Sequence, residues 1–192
     1  KIIELWFLNS SFKIIKVIGV KKILKYRPTY YFNILQNTIK IFYFNFMKII
    51  YIDLDGVVAD FEKGRRNHPL STVTPYIGRP DKLPGVYENL EPITDAIASV
   101  NKLLNHEDFD VYFLSTAPWD NPEAWMHKRL WVAKYFNEKL IRKKLILSHH
   151  KHLLIGDYLV DDRKFNGASK FKGEWLYFGS EKFRDWSKIL KH

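Results

Sequence analysis

The sequence predicts an α/β fold in which a mostly parallel sheet is flanked by helices, with a small cap inserted after the first strand. Short strand-forming runs alternate along the chain with helical patterns, as is typical of a parallel sheet that is covered on both faces. A segment punctuated by Pro and Gly interrupts this alternation soon after the first run, and its position predicts the cap.

Five short apolar runs, each ending in polar residues, predict the strands. They occupy residues 48–53, 110–115, 144–148, 158–161 and 175–179. A helix is predicted over 93–104, where apolar residues recur close to a 3.6-residue period and Pro92 suits the first helical turn. A second helix is predicted over 121–136, with Asn121 as its cap and with apolar positions at Trp125, Leu130, Trp131 and Tyr135.

The predicted cap covers about residues 62–91. Prolines at 69, 75, 80 and 84 and glycines at 64, 78 and 85 make this segment too irregular for a long helix. Because the insert comes directly after the first strand, we expect it to form a lid over the end of the sheet.

The net charge of +10 belongs mostly to the first quarter of the chain. Residues 1–46 carry eight Lys and Arg against one acid, whereas residues 47–192 carry 23 bases and 20 acids. The short basic clusters at 65–66 and 142–144 lack interleaved aromatic residues, so we expect no nucleic-acid polymer as partner. The absence of Cys excludes disulfides, thiolate metal sites and cysteine nucleophiles.

Residues 1–46 also have an atypical composition. Phe, Tyr, Ile, Asn and Lys, all encoded by A/T-rich codons, supply 30 of these 46 residues, and Met47 stands directly before the first predicted strand. We therefore expect translation to start at Met47, residues 1–46 to lie outside the native fold, and the protein to be cytoplasmic and not membrane-bound. The alternative for this segment is organellar targeting. A function of a different class is also open, in which the protein is a non-catalytic binder of nucleic acid or a membrane surface through the basic residues 1–46.

Acidic and polar side chains follow several predicted strands. They are Asp53 and Asp55 after the first strand, Ser115 and Thr116 after the second, Lys151 in a turn, and Asp161 and Asp162 after the fourth. The carboxyl ends of parallel strands share one edge of a sheet, so these groups are expected to converge. Converging carboxylates repel one another unless a hard cation such as Mg²⁺ lies among them. Together with the hydroxyls and the lysine at the same edge, they predict a bound Mg²⁺ and a bound phosphate.

Two other metal sites fit the sequence less well. An EF-hand loop needs Gly at its sixth position and flanking helices, whereas Gly56 is the fourth residue of its run and follows a strand. The SHHKH segment at 148–152 crowds its histidines at a strand end, so His149, His150 and His152 are expected to be partly exposed turn residues.

The run DLDGV at 53–57, a hydrophobic strand ending in Ser115, Lys151, and GDYLVDD at 156–162 resemble the four motifs of the haloacid dehalogenase-like (HAD) phosphohydrolases, in the same order. More narrowly, DLDGVVADF and the pattern K(x9)DDR resemble the 5'-nucleotidase branch that includes the 5'(3')-deoxyribonucleotidases. The resemblance covers most of residues 47–180. It implies a Rossmann-like fold and Mg²⁺-dependent hydrolysis of small (deoxy)nucleoside monophosphates.

The resemblance also implies roles for individual residues. Asp53 would attack phosphorus to form an aspartyl-phosphate, and Asp55 would protonate the leaving group and later activate water. Ser115, Thr116 and Lys151 would bind the phosphate. Asp53, the backbone carbonyl of Asp55, and Asp161 would hold Mg²⁺, with Asp157 or Asp162 acting through water or orienting these ligands.

The substrate pocket is predicted at Phe61, Tyr87 and Trp119, with ordinary packing as the alternative for each. Arg163 is expected to pair with Asp55 or Asp162. The second motif reads Ser-Thr-Ala-Pro where animal deoxyribonucleotidases have Thr-Ser-Pro, and the cap is short. Both departures lie near the substrate, so a phosphatase for another small ester, such as a sugar phosphate, is the alternative function. The oligomeric state stays open, with a homodimer among the options.

Overall fold

The computed structural model describes residues 47–192, which contain a five-stranded parallel sheet. Its strands are β1 (Lys48–Ile52), β2 (Phe109–Ser115), β3 (Leu145–Leu147), β4 (Tyr158–Asp161) and β5 (Glu174–Tyr177). Their spatial order is β3-β2-β1-β4-β5, and every neighbouring pair is parallel. The sheet confirms the predicted α/β, Rossmann-like fold, and each strand lies within two residues of its predicted bounds.

Helices and short turns connect these strands. The helices are α1 (Phe61–Asn67), α2 (Ala96–Leu104), α3 (Glu123–Tyr135), α4 (Glu138–Ile141) and α5 (Trp186–Lys191). Three 3₁₀ turns span Pro80–Lys82, Lys151–Leu153 and Ala168–Lys170. Among residues 47–192, no helix has both the length and the apolar character that crossing a bilayer requires.

Strand β1 lies at the centre of the sheet and is buried on both faces. Its side chains alternate between the faces, so Ile50 and Ile52 join one apolar cluster while Tyr51 joins another. Ile52 is level with Phe113 of β2 and with Val160 of β4. The residue after Ile52 is therefore level with the carboxyl ends of both neighbouring strands.

The starts of two helices differ from the prediction. Helix α2 begins at Ala96, whereas Pro92 lies before it and forms an isolated bridge with Ala59. Helix α3 begins at Glu123, and no side chain caps it. The Asn121 side chain instead donates hydrogen bonds to the carbonyl oxygens of Asp81 and Leu83, at 2.9 and 3.3 Å.

The apolar face predicted for the second helix is only partly correct. Trp131 is buried, whereas Trp125 and Leu130 are 39% and 46% exposed. The buried face of α3 includes His127 and Lys128 in their place.

Residues 62–91 contain most of α1, the 3₁₀ turn at Pro80–Lys82 and a series of turns. Two side chains, one just before α3 and one within it, bind the C-terminal part of this segment. Asn121 binds it as described above, and Nε1 of Trp131 donates to the carbonyl oxygen of Leu90 at 2.8 Å. The prediction for residues 1–46 concerns residues outside the described range.

Candidate active site

The end of β1 turns sharply, and the turn depends on a glycine. Gly56 has a φ of +76°, a conformation that residues with a Cβ rarely adopt. The carbonyl oxygen of Leu54 accepts hydrogen bonds from the next turn, including the backbone N–H groups of Val58 and Ala59 at 2.8 Å. Asp53 and Asp55 flank Leu54, so the turn holds both at the carboxyl edge of the sheet.

Three carboxylates meet at this edge. Asp53, Asp161 and Asp162 each offer one oxygen, and these three oxygens lie within 4.8 Å of one another. Oδ1 of Asp53 and Oδ1 of Asp162 are buried and have no hydrogen-bond partner among residues 47–192. Buried polar oxygens are normally paired, and hard cations such as Mg²⁺ prefer carboxylate oxygens. The donor set therefore fits a divalent cation.

Asp157 does not belong to this group. It lies before the amino end of β4, where its Oδ2 accepts a hydrogen bond from the backbone N–H of Ile49 at 2.8 Å. Asp161 is four positions further along this extended segment, a distance of roughly 13 Å. Of the two residues that the resemblance offered for this supporting role, Asp157 lies at the opposite edge of the sheet because of strand polarity, whereas Asp162 lies at the cluster.

Lys151 lies between two of the acids. Its side chain is buried, and its Nζ is 3.1 Å from Oδ2 of Asp53 and 2.5 Å from Oδ2 of Asp161. Burial lowers the pKa of Lys151, but the negative charges of Asp53 and Asp161 outweigh it and raise that pKa overall. The side chain is therefore an ammonium that offsets charge at the acidic cluster.

The carboxyl groups of Asp161 and Asp162 are hard to ionise without a cation. Burial, followed by the nearby charge of Asp53, raises the pKa of Asp161 to about 7 and that of Asp162 to about 6. Arg163 opposes the shift at Asp162, with its Nε 3.4 Å from Oδ2 of that residue. The expected pairing of Arg163 is thus with Asp162 and not with Asp55.

The site contains one residue that the sequence analysis missed, Lys128 of α3. It is only 2% exposed, and its ammonium donates to Oδ2 of Asp55 and, at 3.1 Å, to Oγ of Ser115. Burial raises the pKa of Asp55 while the charge of Lys128 opposes that rise, an environment suited to a group that first gives and later accepts a proton. The spacing of the sequence is consistent with burial of this lysine. Lys128 is four residues after Ala124 and three before Trp131, so all three lie on the buried face of the helix.

The two hydroxyl residues after β2 differ in their surroundings. Ser115 is fully buried, and its Oγ is bound by Lys128. Thr116 lines the cavity described below and donates from Oγ1 to the carbonyl oxygen of Ser148 at 2.8 Å. Thr116 is thus the hydroxyl residue nearer to a ligand in this cavity.

A cavity of about 530 Å³ opens onto the acidic edge, a size typical of small-molecule sites. Its lining includes Asp53, Asp55, Lys151 and Asp161 together with the predicted pocket residues Phe61, Tyr87 and Trp119. The rings of Phe61 and Tyr87 stack with centroids 5.2 Å apart, and both are buried. Trp119, by contrast, is 80% exposed.

The histidines of the SHHKH segment form no metal group among the residues that the structure describes. His149 and His152 are half-buried and His150 is exposed. The ring of His149 lies 6.1 Å from those of both Trp119 and Trp125, so it packs within an aromatic cluster beside the cavity.

Comparisons with known proteins match this chain to one family. The family model described as "5' nucleotidase, deoxy (Pyrimidine), cytosolic type C protein" matches residues 76–191. A "Putative 5'(3')-deoxyribonucleotidase" of Vibrio phage KVP40 is 46% identical over 144 residues, which cover 75% of this chain and 83% of the phage protein. The human cytosolic 5'(3')-deoxyribonucleotidase is 27% identical over 141 residues, covering 59% of this chain and 70% of the human protein.

A similar bacterial protein extends these comparisons. The "Putative 5'(3')-deoxyribonucleotidase" of Bordetella bronchiseptica is 27% identical over 164 residues, covering 71% of this chain and 86% of that protein. The match to the family model begins after β1, so it does not include Asp53 or Asp55. Those two residues are placed in the site by their position at the end of β1.

Proposed function

Because this chain belongs to the family of 5' nucleotidase, deoxy (pyrimidine), cytosolic type C proteins, we propose that it hydrolyses (deoxy)nucleoside monophosphates through a Mg²⁺-dependent aspartyl-phosphate mechanism. The chain is a phosphoric monoester hydrolase. The observation that carries the mechanistic proposal is the meeting of Asp53, Asp161 and Asp162 within 4.8 Å, with the Lys151 ammonium bound to two of them.

Asp53, Asp161 and Asp162, with the backbone carbonyl of Asp55, would hold Mg²⁺. The Oδ1 atoms of Asp53 and Asp162, which have no partner in the part of the chain that the structure describes, support this assignment. The sequence assigned Asp162 a supporting role, but its oxygen belongs to the same cluster as those of Asp53 and Asp161. When bound, the cation supplies positive charge to the carboxylates and to the phosphate oxygens.

In the first step, a carboxylate oxygen of Asp53 forms a bond to phosphorus while the bond from phosphorus to the ester oxygen breaks. The leaving oxygen takes the proton of the Asp55 carboxyl group and departs as an alcohol. Asp55 then carries a negative charge, which the Lys128 ammonium stabilises. Lys151 offsets the charge on the phosphoryl group, and Thr116 and Ser115 help to bind its oxygens.

In the second step, Asp55 accepts a proton from water as the water oxygen bonds to phosphorus. The bond from phosphorus to Asp53 breaks, which releases inorganic phosphate and restores the Asp53 carboxylate. Asp55 is again protonated at the end of the cycle.

The substrate is a small molecule whose nucleobase would contact the aromatic lining of the cavity. Trp119 is exposed in the same cavity as the acidic cluster, whereas Phe61 and Tyr87 are largely buried in its wall, so Trp119 is the aromatic side chain available to a base. The proposal includes neither a nucleic-acid polymer nor a membrane as partner. A cytoplasmic location is part of it only if translation starts at Met47, and an organelle is the alternative if residues 1–46 are a targeting segment.

A panel of phosphomonoesters assayed with and without Mg²⁺ tests the proposal. We expect nucleoside monophosphates to be turned over best, only with Mg²⁺, and Asp53→Asn to abolish turnover while the circular dichroism spectrum is unchanged. Asp157→Asn is a matched control, because this exposed aspartate lies at the opposite edge of the sheet, and it should retain activity within about twofold. Substantial activity in Asp53→Asn would contradict the proposed nucleophile, and a preference for sugar phosphates would favour the alternative substrate.

A further inference from the structure

The ring of Tyr87 contacts the lysine that binds Asp55. The Lys128 Nζ lies over this ring, 4.6 Å from its centroid. An ammonium at this distance is attracted to the face of an aromatic ring, and the attraction is stronger away from water. Both side chains are buried, with exposures of 4% for Tyr87 and 2% for Lys128.

The buried ammonium of Lys128 has three partners among residues 47–192. They are the Asp55 carboxylate, the Ser115 hydroxyl and the Tyr87 ring. An ammonium has three N–H donors, and a buried charge is costly unless partners surround it. The Tyr87 ring is therefore one of the three groups that set the position of this charge.

The ring is itself held in place from two directions. Phe61 of α1 stacks on it at 5.2 Å with an interplanar angle of 14°. Asn121 and Trp131 fix the cap segment on either side of it, through the carbonyl oxygens of Leu83 and Leu90. Because Trp131 lies on the same helix as Lys128, the cap segment is hydrogen-bonded to the helix that carries this lysine.

We propose that Tyr87 is a positioning residue that holds the Lys128 ammonium against Asp55, so that the cap segment assists proton transfer to the leaving group. The inference rests on the proposed role of Asp55 as proton donor. When Asp55 gives its proton to the ester oxygen, Lys128 stabilises the carboxylate that remains, and Tyr87 keeps Lys128 at that place. With only 4% of its surface exposed, Tyr87 offers little area for direct contact with a substrate.

Substrates that differ in their leaving group test this role. A nucleoside monophosphate and β-glycerophosphate both release an alcohol and need a proton donor, whereas p-nitrophenyl phosphate releases a stable anion. We expect Tyr87→Leu to lower kcat about 3- to 30-fold for the first two esters, the range of a buried cation–π contact, and less than about twofold for p-nitrophenyl phosphate. Tyr87→Phe retains the ring and should keep kcat close to that of the wild type for all three.

A second replacement keeps the proposal testable if Tyr87→Leu does not fold. Pentafluorophenylalanine at position 87 preserves the size of the ring and removes the negative potential of its face, so kcat should again fall only for the two alcohol-releasing esters. An equal fall for all three esters would overturn the proposal in favour of a packing role. A higher KM for the nucleotide alone, with unchanged kcat, would overturn it in favour of a base contact.

Failure of the proposed function gives a different result. In that case the wild-type chain would show no Mg²⁺-dependent turnover of the panel, or Asp53→Asn would remain active. The Tyr87 variants are therefore compared with a wild type that has Mg²⁺-dependent activity. An inactive wild type or an active Asp53→Asn contradicts the proposed function, whereas a non-selective Tyr87 effect contradicts only the positioning role.

Discussion

Gly56 and Asp162 lie in direct contact across the active-site edge of the sheet. A Cβ placed on Gly56 would overlap the carboxylate of Asp162, and the backbone at Gly56 has a φ of +76°. The turn after β1 and the Asp162 side chain just after β4 are therefore packed closely against each other. This contact explains why a glycine, and no larger residue, follows the Asp53–Asp55 pair.

Replacing Gly56 should weaken metal binding more than the strain of a side chain at positive φ would by itself. We expect Gly56→Ala to displace Asp162 and weaken Mg²⁺ binding about 10- to 100-fold, the usual range for changes beside metal ligands. Gly78→Ala is the matched control, because Gly78 has a φ of +73° and nothing within 4 Å of an added Cβ. Calorimetric Mg²⁺ titrations of both variants make the comparison, and equal losses would contradict the role of this contact.

The acidic cluster should make the effect of Mg²⁺ depend on pH. In the folded chain the pKa is about 7 for Asp161 and about 6 for Asp162, mainly because both are buried. Unfolded aspartates ionise near pH ~3.9, so between about pH 4 and 7 the folded metal-free chain holds more protons than the unfolded chain. Its stability therefore falls as pH rises through this window.

If Mg²⁺ binds these carboxylates, it binds their ionised forms and should offset that fall. We expect the increase in Tm on adding Mg²⁺ to be small at pH 5 and clearly larger at pH 8, as measured by thermal unfolding. Asp162→Asn removes one of the titrating ligands and should flatten this dependence. A Tm increase that is the same at both pH values would argue against a cation bound by these acids.

Lys151 should stabilise the fold as well as the chemistry. Lys151→Met leaves the carboxylates of Asp53 and Asp161 buried without their ammonium, so the free energy of unfolding in the absence of metal should fall by about 3–5 kcal/mol. Lys182→Met provides the control, since its ion pair with Glu174 is exposed and should contribute less than about 1 kcal/mol. Urea denaturation measures both, and similar losses would contradict the structural role of Lys151.

Trp119 gives the cleanest test of the nucleobase pocket. Phe61 is buried, so its loss would also destabilise the core, whereas Trp119 is 80% exposed and its removal should leave the fold intact. If Trp119 stacks on a base, Trp119→Ala should raise KM for nucleoside monophosphates roughly 5- to 150-fold, equivalent to ~1–3 kcal/mol, with no change for p-nitrophenyl phosphate. Unchanged KM values for nucleotides would show that Trp119 does not contact the base.

The sheet and its acidic edge were predictable because they follow from strand polarity alone. Once the strands are parallel, the residues after β1 and β4 must share an edge, and the structure brings Asp53 and Asp161 together there. Of the two alternatives, Asp157 and Asp162, only Asp162 lies at this edge, because the length of β4 separates Asp157 from Asp161. Asp157 is at the other end of that strand. It precedes β4 and pairs with the backbone at the start of β1.

The contribution of α3 was harder to predict. Which face of a helix is buried depends on how the helix packs, and here Trp125 and Leu130 are exposed while Lys128 is buried. A buried lysine is stable only beside partners that come from distant segments, in this case Asp55, Ser115 and Tyr87. No local pattern in residues 121–136 indicates those partners.

The central claim is that Asp53 becomes phosphorylated, and a trapping experiment tests it most directly. In Asp55→Asn the second step lacks its base, while p-nitrophenyl phosphate needs no proton donor in the first step, so the intermediate should accumulate. We expect acid quenching followed by peptide mass spectrometry to find one phosphate on Asp53, and none when Asp53 is also changed to Asn. Release of p-nitrophenol with no phosphate on Asp53, or with phosphate on another residue, would contradict the account.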